Sequence, residues 1–318
     1  MLDKISVLIP LYNEKNCIEP LLDKLTQVMK KLEKNYEIII VDDGSDDGSD
    51  EKLDEAINKY DNLKIIRFRK NYGQTAALSA AIAECSGSII VPMDADLQND
   101  PEDIPKLLKK LEEGFDVVSG WRRKRKDNFF TKVIPSKIAN FLVSLISGVK
   151  LHDYGCSLKA YKKEVLDEFD LIGEMHRFIP ILASWKGAKV TEIEVVHHQR
   201  KIGKSKYNLT RTFKVVLDLM TLKFLGSFLT KPIYAFGGSG FGLIFISFLI
   251  ALFTLYQKFH DNVYVHRNPL FVVAVFFALA GLQLIMIGLL GEVLTRIYFQ
   301  SSKRKPYSIK EIKESSKK

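Results

Sequence analysis

The 318-residue chain has few cysteines and lacks the glycine-rich signatures of common nucleotide-binding sites. Its three cysteines, Cys17, Cys85 and Cys156, cannot build a disulfide framework, and no Cys-x-x-Cys pair or His/Cys cluster offers a soft-metal site. Neither Gly-x-Gly-x-x-Gly nor Gly-x-x-x-x-Gly-Lys occurs, so no glycine turn presents a helix N-terminus to phosphates. These absences argue against dinucleotide and P-loop chemistry, and the low cysteine content fits a reducing, cytosolic environment.

Acidic and basic residues are also absent, but only from two long stretches near the C-terminus. The stretches Pro232–Gln257 and Asn268–Gly291 contain no Asp, Glu, Lys or Arg, although the whole chain has 47 basic and 38 acidic residues and a net charge of +9. Each stretch is long enough to cross about 30 Å of hydrocarbon as a helix. They predict a transmembrane hairpin, with a buried helix of a soluble core as the alternative.

The distribution of basic residues predicts how this hairpin is oriented. The loop between the two stretches holds only Lys258 and Arg267, whereas the tail after Tyr298 is strongly basic. By the positive-inside rule both termini are cytoplasmic, and the N-terminal apolar run is too short for a signal peptide. The sequence therefore predicts a cytoplasmic domain (1–230), a multi-pass anchor (231–300, with spans near 232–257 and 268–291) and a basic tail (301–318). The tail is interpreted either as a solvated end or as a segment that contacts anionic lipid headgroups.

Short apolar runs alternate with helical patterns in the first 230 residues. Helical spacing of apolar residues occurs in segments such as 18–33 and 101–113, and the runs between them have strand length. This alternation predicts an α/β fold with a Rossmann-like, mostly parallel sheet. The predicted strands are Ile5–Pro10, Glu37–Val41, Leu63–Phe68, Ser88–Met93 and Asp116–Ser119.

Acidic residues follow the first, second and fourth predicted strands, where ligands bind in parallel sheets. Asp94 and Asp96 are two residues apart at an extended strand end, so both carboxylates can face one hard cation, Mg²⁺ or Mn²⁺, with Gln98 adding a neutral oxygen. Acidic turn residues also cap helices, and Pro101 looks like a helix start. The pattern predicts a divalent-metal site that holds a diphosphate.

Two further segments and one glycine cluster indicate contact with lipids and with other copies of the chain. Residues 129–149 and 209–229 place apolar side chains at helical spacing with basic residues opposite, as in interfacial helices; packed core helices are the alternative. Small residues at 237–240 and at Gly242 permit close helix contact and make a homo-oligomer plausible, although they also permit a kink. Nucleic-acid binding is not expected from a chain with a membrane anchor.

Several motifs resemble those of a known enzyme family. The motifs are Ile-Pro-Leu-Tyr-Asn-Glu (9–14), Val-Asp-Asp-Gly-Ser (41–45), Arg-Lys-Asn-Tyr-Gly (69–73) and Asp-Ala-Asp-Leu-Gln (94–98). In this order they resemble GT-A-fold glycosyltransferases of family 2. The segments 153–161 and 178–182, and the pattern Arg-x-x-Gly-x-Ser-Lys-Tyr (200–207) before two membrane spans, are similar to the polyprenyl-phosphate glycosyltransferases, with the aminoarabinose and glucose branches most alike.

This resemblance implies a metal-dependent enzyme of the inner (plasma) membrane. The expected reaction is inverting transfer of a sugar from a UDP-sugar donor to undecaprenyl (polyprenyl) phosphate, for cell-envelope glycan or lipid A modification. The alternatives are transfer from GDP-mannose, as by dolichol-phosphate-mannose synthases, and a non-catalytic membrane scaffold. A processive synthase is disfavoured because the chain has only two spans and no Gln-x-x-Arg-Trp signature.

The resemblance and the side-chain chemistry together assign roles to individual residues. The base and ribose pocket is expected from Pro10, Tyr12, Glu14, Asp42, Asp94 and Ala95, and the metal site from Asp94, Asp96 and Gln98. Cationic and hydroxyl groups are expected to bind the phosphates. This phosphate and acceptor set comprises Arg122, Arg200, Lys204, Ser205 and Lys206.

Three residues are candidates for direct roles in catalysis: Asp96, Asp153 and Arg122. Where glucosyl-transferring relatives carry an Asp, this chain has Cys156, and Asp153 three residues earlier is the candidate for orienting acceptor or sugar, with turn capping as the alternative. For Asp43, a place in the pocket and a role as cap of the helix after Ser45 are equally good alternatives. A phosphate nucleophile with a second pKa near 6 is largely anionic at neutral pH, so no general base is required.

Overall fold

The computed structural model describes residues 4–123, 134–167, 175–199, 232–260, 263–301 and 309–314. The chain forms two compact units, one built from the N-terminal part and the C-terminal tail, the other from the segment between them. Part of the predicted interfacial segment 129–149, all of 209–229, and Arg200, Lys204, Ser205 and Lys206 lie outside the described residues.

The first unit is built on one sheet of eight described strands in the order β7-β5-β6-β4-β1-β2-β3-β8. Six strands run in one direction, and β6 and β8 run opposite to them. The mostly parallel α/β sheet predicted from the sequence is therefore confirmed. The strands are β1 (Lys4–Leu11), β2 (Asn35–Asp42), β3 (Leu63–Phe68), β4 (Ile89–Pro92), β5 (Val117–Trp121), β6 (Lys159–Lys162), β7 (Val190–Glu194) and β8 (Ile309–Glu314).

Seven described helices belong to this unit, and most of them cover the two faces of the sheet. Alternate residues of β1 enter different cores: Val7 packs in the cluster that includes α1 and α4, and Leu8 in the cluster that includes α3 and α7. This two-sided burial is typical of parallel sheets with crossover helices. The helices are α1 (Ile18–Lys31), α2 (Ser49–Lys59), α3 (Gln74–Glu84), α4 (Ile104–Glu112), α5 (Ile134–Ser147), α6 (Lys163–Leu166) and α7 (Ile179–Trp185).

The tail contributes an edge strand that the sequence pattern did not predict. The backbone of Ile309–Glu314 pairs antiparallel with β3, with Lys64 opposite Glu314 and Phe68 opposite Ile309. This pairing satisfies the otherwise open hydrogen-bonding edge of β3. Within 309–314 the backbone of the tail is thus paired as a strand, and contact of the tail with lipid headgroups stays a prediction.

Helix α5 exposes large apolar side chains next to a buried face. Phe141 and Leu145 are 66% and 70% exposed, whereas Val143 is buried. This distribution over residues 134–147 agrees with the amphipathic pattern predicted from the sequence and leaves an apolar strip available for lipid contact.

The second unit contains two long apolar helices, Pro232–His260 and Pro269–Ser301. Within them, Phe236–His260 and Pro269–Gly291 are long and apolar enough to cross a membrane, and most of their large side chains are exposed. A Cβ on Gly240 would lie 2.5 Å from the carbonyl oxygen of Gly281, so the helices touch backbone to backbone there. Among the described residues, Gly240 thus serves a contact inside the hairpin.

Candidate active site

The candidate site lies at the edge of the sheet where β1, β2 and β4 end. Because these strands run parallel and neighbour one another, the loops that follow them meet at one edge. The loops carry all three acidic motifs predicted from the sequence, namely 10–14, 42–45 and 94–98.

The loops after β1 and β2 are bound to each other through Asn13. Its backbone N–H donates to Ser45 Oγ (3.0 Å), its side-chain amide donates to Asp46 Oδ1 (2.6 Å), and its Oδ1 accepts from the Asp46 N–H (3.0 Å). Asn13 adopts a left-handed backbone (φ 55°), which asparagine tolerates better than most residues. The sequence motif contains Asn13, but its bridging role depends on a contact across 33 positions.

The neighbouring acids Asp42 and Asp43 organise two different turns. Asp42 is buried, and its Oδ1 accepts from the Ser45 N–H at 3.0 Å. Asp43 accepts from the N–H groups of Tyr72 (2.7 Å) and Gly73 (2.9 Å), and its burial raises the pKa of this carboxyl above its ordinary value. The alternative in which Asp43 caps the next helix is wrong, because its carboxylate is already bound in front of α3.

Pro10, Tyr12 and Glu14 lie at the end of β1 and just beyond it, each half-buried. Pro10 lines a cleft at the sheet edge. Glu14 precedes a short 3₁₀ helix, Lys15–Cys17, where its carbonyl accepts from the Cys17 N–H at 2.9 Å. Their placement is compatible with a nucleotide pocket, and their contact with a nucleotide remains a prediction.

Asp94 and Asp96 flank Ala95 just after β4. Ala95 is buried, while both acids are partly exposed. The backbone bends at residues 95–97, with Leu97 in a left-handed conformation (φ 62°), so the two acids do not lie on the extended segment predicted from the sequence. The amide of Gln74, the first residue of α3, donates to Asp94 Oδ1 at 2.8 Å. Asp96 Oδ1 accepts from the Gln98 N–H at 3.1 Å. One oxygen of each carboxylate is therefore oriented by the protein.

Gln98 lies beside the segment that leads to Arg200. Its backbone carbonyl accepts from the His198 N–H (2.9 Å), and its amide donates to the His198 carbonyl (3.4 Å). The His198 ring also bonds to Asp100 (2.8 Å), which is paired with Lys24 (2.8 Å). Burial opposes ionisation of Asp100, but its hydrogen bonds to Lys24 and His198 prevail and lower its pKa. The loop carrying the acids and the segment 197–198 are therefore joined.

The residues described here fit a divalent cation of the Mg²⁺ or Mn²⁺ type only in part. No group of three or more His, Cys, Asp or Glu side chains within the described ranges forms a closed metal site. Mg²⁺, however, is commonly held by one or two carboxylates together with substrate phosphates. The pair Asp94 and Asp96, two partly exposed carboxylates just after β4, is compatible with that open type of site.

Arg122 and Asp153 form a buried ion pair. Arg122 follows β5, and its guanidinium donates to both carboxylate oxygens of Asp153, at 2.7 and 2.9 Å. The Gly155 N–H also donates to this carboxylate at 3.1 Å, so Asp153 also has the turn role that was its alternative. Cys156 is fully buried, and burial raises the pKa of its thiol to about 11, so it is neutral at physiological pH.

A cleft opens between the acidic loops and the segment that contains this turn. Asp94 and Gln74 lie on one side, and residues of the turn and of β6 on the other. Sequence reasoning missed three basic residues that line it, because lysines and arginines near strand ends are usually solvated. The cleft is lined by Pro10, Gln74, Leu78, Pro92, Met93, Asp94, Tyr154, Gly155, Cys156, Ser157, Lys159, Tyr161, His176 and Arg177.

Comparison with solved structures supports the fold. Glucosyl-3-phosphoglycerate synthase from Mycobacterium tuberculosis, solved with Mn²⁺, UDP and glucosyl-3-phosphoglycerate, matches 70% of this chain and 80% of its own, with a TM-score of 0.56 and 18% identity. Mannosyl-3-phosphoglycerate synthase from Rubrobacter xylanophilus gives a TM-score of 0.56 with 14% identity over 70% of this chain and 74% of its own. At such identities the likeness shows the fold alone.

Comparison of sequences shows the family. The model of Glycosyl transferase family 2 matches residues 6–170. Dodecaprenyl-phosphate galacturonate synthase of Rhizobium johnstonii is 38% identical over 97% of this chain and 93% of its own. Undecaprenyl-phosphate 4-deoxy-4-formamido-L-arabinose transferase of Proteus mirabilis is 37% identical over 98% and 94%. The chain therefore belongs to glycosyl transferase family 2, in the group of polyprenyl-phosphate glycosyltransferases that its motifs resemble.

Proposed function

We propose that this glycosyltransferase moves a sugar, with inversion, from a UDP-sugar to polyprenyl phosphate at the cytoplasmic face of the inner membrane. The observation that carries the proposal is the pair Asp94 and Asp96 at the carboxyl end of β4, beside a cleft lined by Gln74 and Pro10. The names of the two relatives, which specify dodecaprenyl and undecaprenyl phosphate, support the acceptor. The solved complexes with UDP and Mn²⁺ support the donor and the metal.

In this proposal the loops after β1 and β2 bind the nucleotide. Tyr12 supplies a flat face for the base, and the carboxylates of Glu14 and Asp42 accept from base N–H or ribose hydroxyl groups. The Asn13 bridge to Ser45 and Asp46 holds the two loops at a fixed separation. Pro10 and Ala95 complete the wall between this pocket and β4.

Asp94 and Asp96 would hold the divalent cation, with Gln98 as a third oxygen donor. When bound, such an ion neutralises the charge that develops on the departing diphosphate. Gln74 orients Asp94, and the backbone N–H of Gln98 orients Asp96, so the acids need little rearrangement on binding.

The reaction forms one bond and breaks one. An oxygen of the lipid phosphate attacks the anomeric carbon from the face opposite the diphosphate, and the bond from that carbon to the diphosphate oxygen breaks, releasing UDP. Since the nucleophile is already anionic, no side chain needs to remove a proton. In this proposal Asp153 holds the guanidinium of Arg122 beside the turn that borders the cleft, and Arg122 binds phosphate oxygens of the bound substrates. Arg200, Lys204, Ser205 and Lys206 are proposed to bind the acceptor phosphate.

The proposed topology has both termini in the cytoplasm and the loop of the hairpin outside. Strand β8, which follows the hairpin in sequence, belongs to the same sheet as β1 to β3. This pairing supports a placement of the N-terminal domain and the tail on one side of the membrane, as the positive-inside rule predicts. A homo-oligomer remains a proposal; Gly238 and Gly242, which have open space at their Cβ positions, are available for a contact between copies.

The proposal is tested with membranes that contain the full-length protein and added undecaprenyl phosphate. A panel of labelled UDP-sugars and GDP-mannose is supplied with Mg²⁺ or Mn²⁺. We expect labelling of the lipid from one class of UDP-sugar, loss of labelling with EDTA, and loss in Asp96→Asn. The matched control is Asp61→Asn, an exposed acid in the turn before β3.

Each component of the proposal has its own contrary outcome. Turnover that survives EDTA contradicts the metal role of Asp94 and Asp96. Labelling of the lipid from GDP-mannose alone contradicts the UDP-sugar donor and identifies GDP-mannose as the donor instead. A wild-type protein that labels no lipid from any donor, while binding UDP and Mn²⁺ together, supports a non-catalytic scaffold.

A further inference from the structure

Lys159 is a buried cation that forms no salt bridge with a carboxylate in the part of the chain that the structure describes. It begins β6, is 3% exposed, and its Nζ donates to the Tyr154 carbonyl at 3.2 Å. Among the described residues, its interactions include no acidic oxygen within 4.0 Å of the ammonium. By contrast, Lys162 at the other end of the same strand pairs with Asp116 at 2.7 Å. The charges of Asp153 and Asp94 favour the protonated form of Lys159, but burial outweighs them. A buried ammonium without a salt bridge lacks the close compensation that buried charges usually have.

Lys159 lines the cleft of the candidate active site, where a bound anion could compensate its buried charge. Lys159 and Tyr161 are two residues apart on β6 and both line the cleft beside Asp94. Arg177 lines the same cleft, so two cationic side chains and a single acid, Asp94, are among its lining residues. Burial lowers the pKa of Lys159 to about 8, and at neutral pH its ammonium remains mostly protonated.

We propose that Lys159 binds an anionic oxygen group of a substrate inside this cleft, an inference that rests on the proposed function. Two sources have this chemistry: the carboxylate of a uronic acid on the donor, and the phosphate of the lipid acceptor. Both present oxygens that an ammonium group binds through charge-assisted hydrogen bonds. The first source makes Lys159 a determinant of sugar specificity, and the second makes it part of the acceptor site.

The test compares the full-length wild type with Lys159→Gln, Lys159→Met and Lys159→Arg. Glutamine keeps a donor for the Tyr154 carbonyl while removing the charge. The matched control is Lys162→Gln, which removes a lysine of the same strand outside the cleft. Donors are UDP-glucuronate and UDP-galacturonate against UDP-glucose and UDP-galactose, with undecaprenyl phosphate varied in each case.

The two sources give different kinetic patterns. If the carboxylate is bound, Lys159→Gln lowers kcat/KM for uronate donors about tenfold or more and leaves the neutral donors nearly unchanged. If the phosphate is bound, the acceptor KM rises about tenfold or more with every donor that is used. In both cases Lys159→Arg, which keeps the positive charge, should retain most of the activity that Lys159→Gln loses. A lysine with a purely structural role gives no reason to expect this recovery.

The inference is overturned if folded Lys159→Gln or Lys159→Met matches the wild type in donor preference and acceptor KM. If neither neutral variant folds, the ¹⁵N resonance of the Lys159 ammonium is measured in the wild type. The inference is then overturned if this resonance does not shift on saturation with donor or with acceptor. A wild type that labels no lipid defeats the proposed function instead, so the two failures are distinguishable.

Discussion

The guanidinium of Arg122 and the carboxylate of Asp153 bind each other through two side-chain hydrogen bonds, although the residues lie 31 positions apart. Asp153 is buried, and only 14% of the Arg122 side chain is exposed. Two residues that the sequence nominated separately are therefore one unit. Its geometry fixes the end of β5 against the turn that borders the cleft.

Removing one member of this pair is expected to cost more stability than removing both. Asp153→Ala leaves Arg122 without its partner in a mostly buried site, which typically destabilises by about 3–5 kcal/mol. The double variant Arg122→Met/Asp153→Leu is expected to recover much of that loss while remaining inactive. Chemical unfolding of the detergent-solubilised protein measures both. A loss in the double variant as large as the summed losses of its two single variants would show that the pair contributes no coupling.

Gln74 is expected to control how tightly the site binds metal. Its amide fixes Asp94 at 2.8 Å, and losing such an orienting partner commonly reduces metal affinity 10–100-fold. Gln74→Leu should therefore shift the Mn²⁺ concentration needed for half-maximal turnover upward by about that factor. Gln27→Leu, an exposed glutamine of α1, is the control. An unchanged metal dependence in Gln74→Leu would assign the hydrogen bond a structural role only.

The contact between Gly240 and Gly281 makes the hairpin sensitive to a single methyl group. A Cβ at Gly240 would meet the Gly281 carbonyl at 2.5 Å, whereas Gly242 has nothing within 4 Å. Gly240→Ala should lower the thermal midpoint of the protein in nanodiscs, since overpacking costs about 1–3 kcal/mol. Gly242→Ala should be neutral or slightly stabilising. The same midpoint for both variants would mean that this contact does not limit hairpin stability.

Acid sensitivity of the sheet is expected to depend on Glu37. Its burial raises the pKa, but hydrogen bonds from Ser6, Lys4 and Ser86 outweigh burial and bring the pKa from 4.5 to about 2. The resulting stabilisation, about 3 kcal/mol by linkage, is present above pH 4.5 and is lost as the pH falls towards 2.

Glu37→Gln should therefore lower stability at pH 7 and flatten its decline between pH 4.5 and 2. Unfolding curves across this range measure the slope. Glu112→Gln removes a half-exposed salt bridge to Lys34 and serves as the control. An unaltered slope in Glu37→Gln would place the acid sensitivity in other carboxylates.

Membrane topology can be measured with little background, because Cys17, Cys85 and Cys156 are all buried. A cysteine at Val263, in the loop between the two hairpin helices, should react with an impermeant maleimide in intact cells. One at Asp61, in the N-terminal domain, should react only after permeabilisation. Labelling of both positions from the same side would contradict the proposed topology.

The sequence determined the parts of this protein that depend on local periodicity. The spacing of apolar residues predicted β1 to β5, and the two uncharged stretches predicted the helices Pro232–His260 and Pro269–Ser301. It also placed Asp94 and Asp96 just after a strand, although the bend at residues 95–97 was not predicted. Two carboxylates close to a strand end were enough to predict a metal site from the sequence.

Tertiary structure decided what depends on pairing between distant segments. The edge strand β8, with a pattern that does not alternate, is a strand because β3 offers it an open edge. The Arg122–Asp153 pair and the isolation of Lys159 are equally invisible in sequence, since a lysine or arginine near a strand end normally points to water. Burial and contacts, which only the folded chain supplies, place Arg122 in an ion pair and leave Lys159 buried without a salt bridge among the described residues.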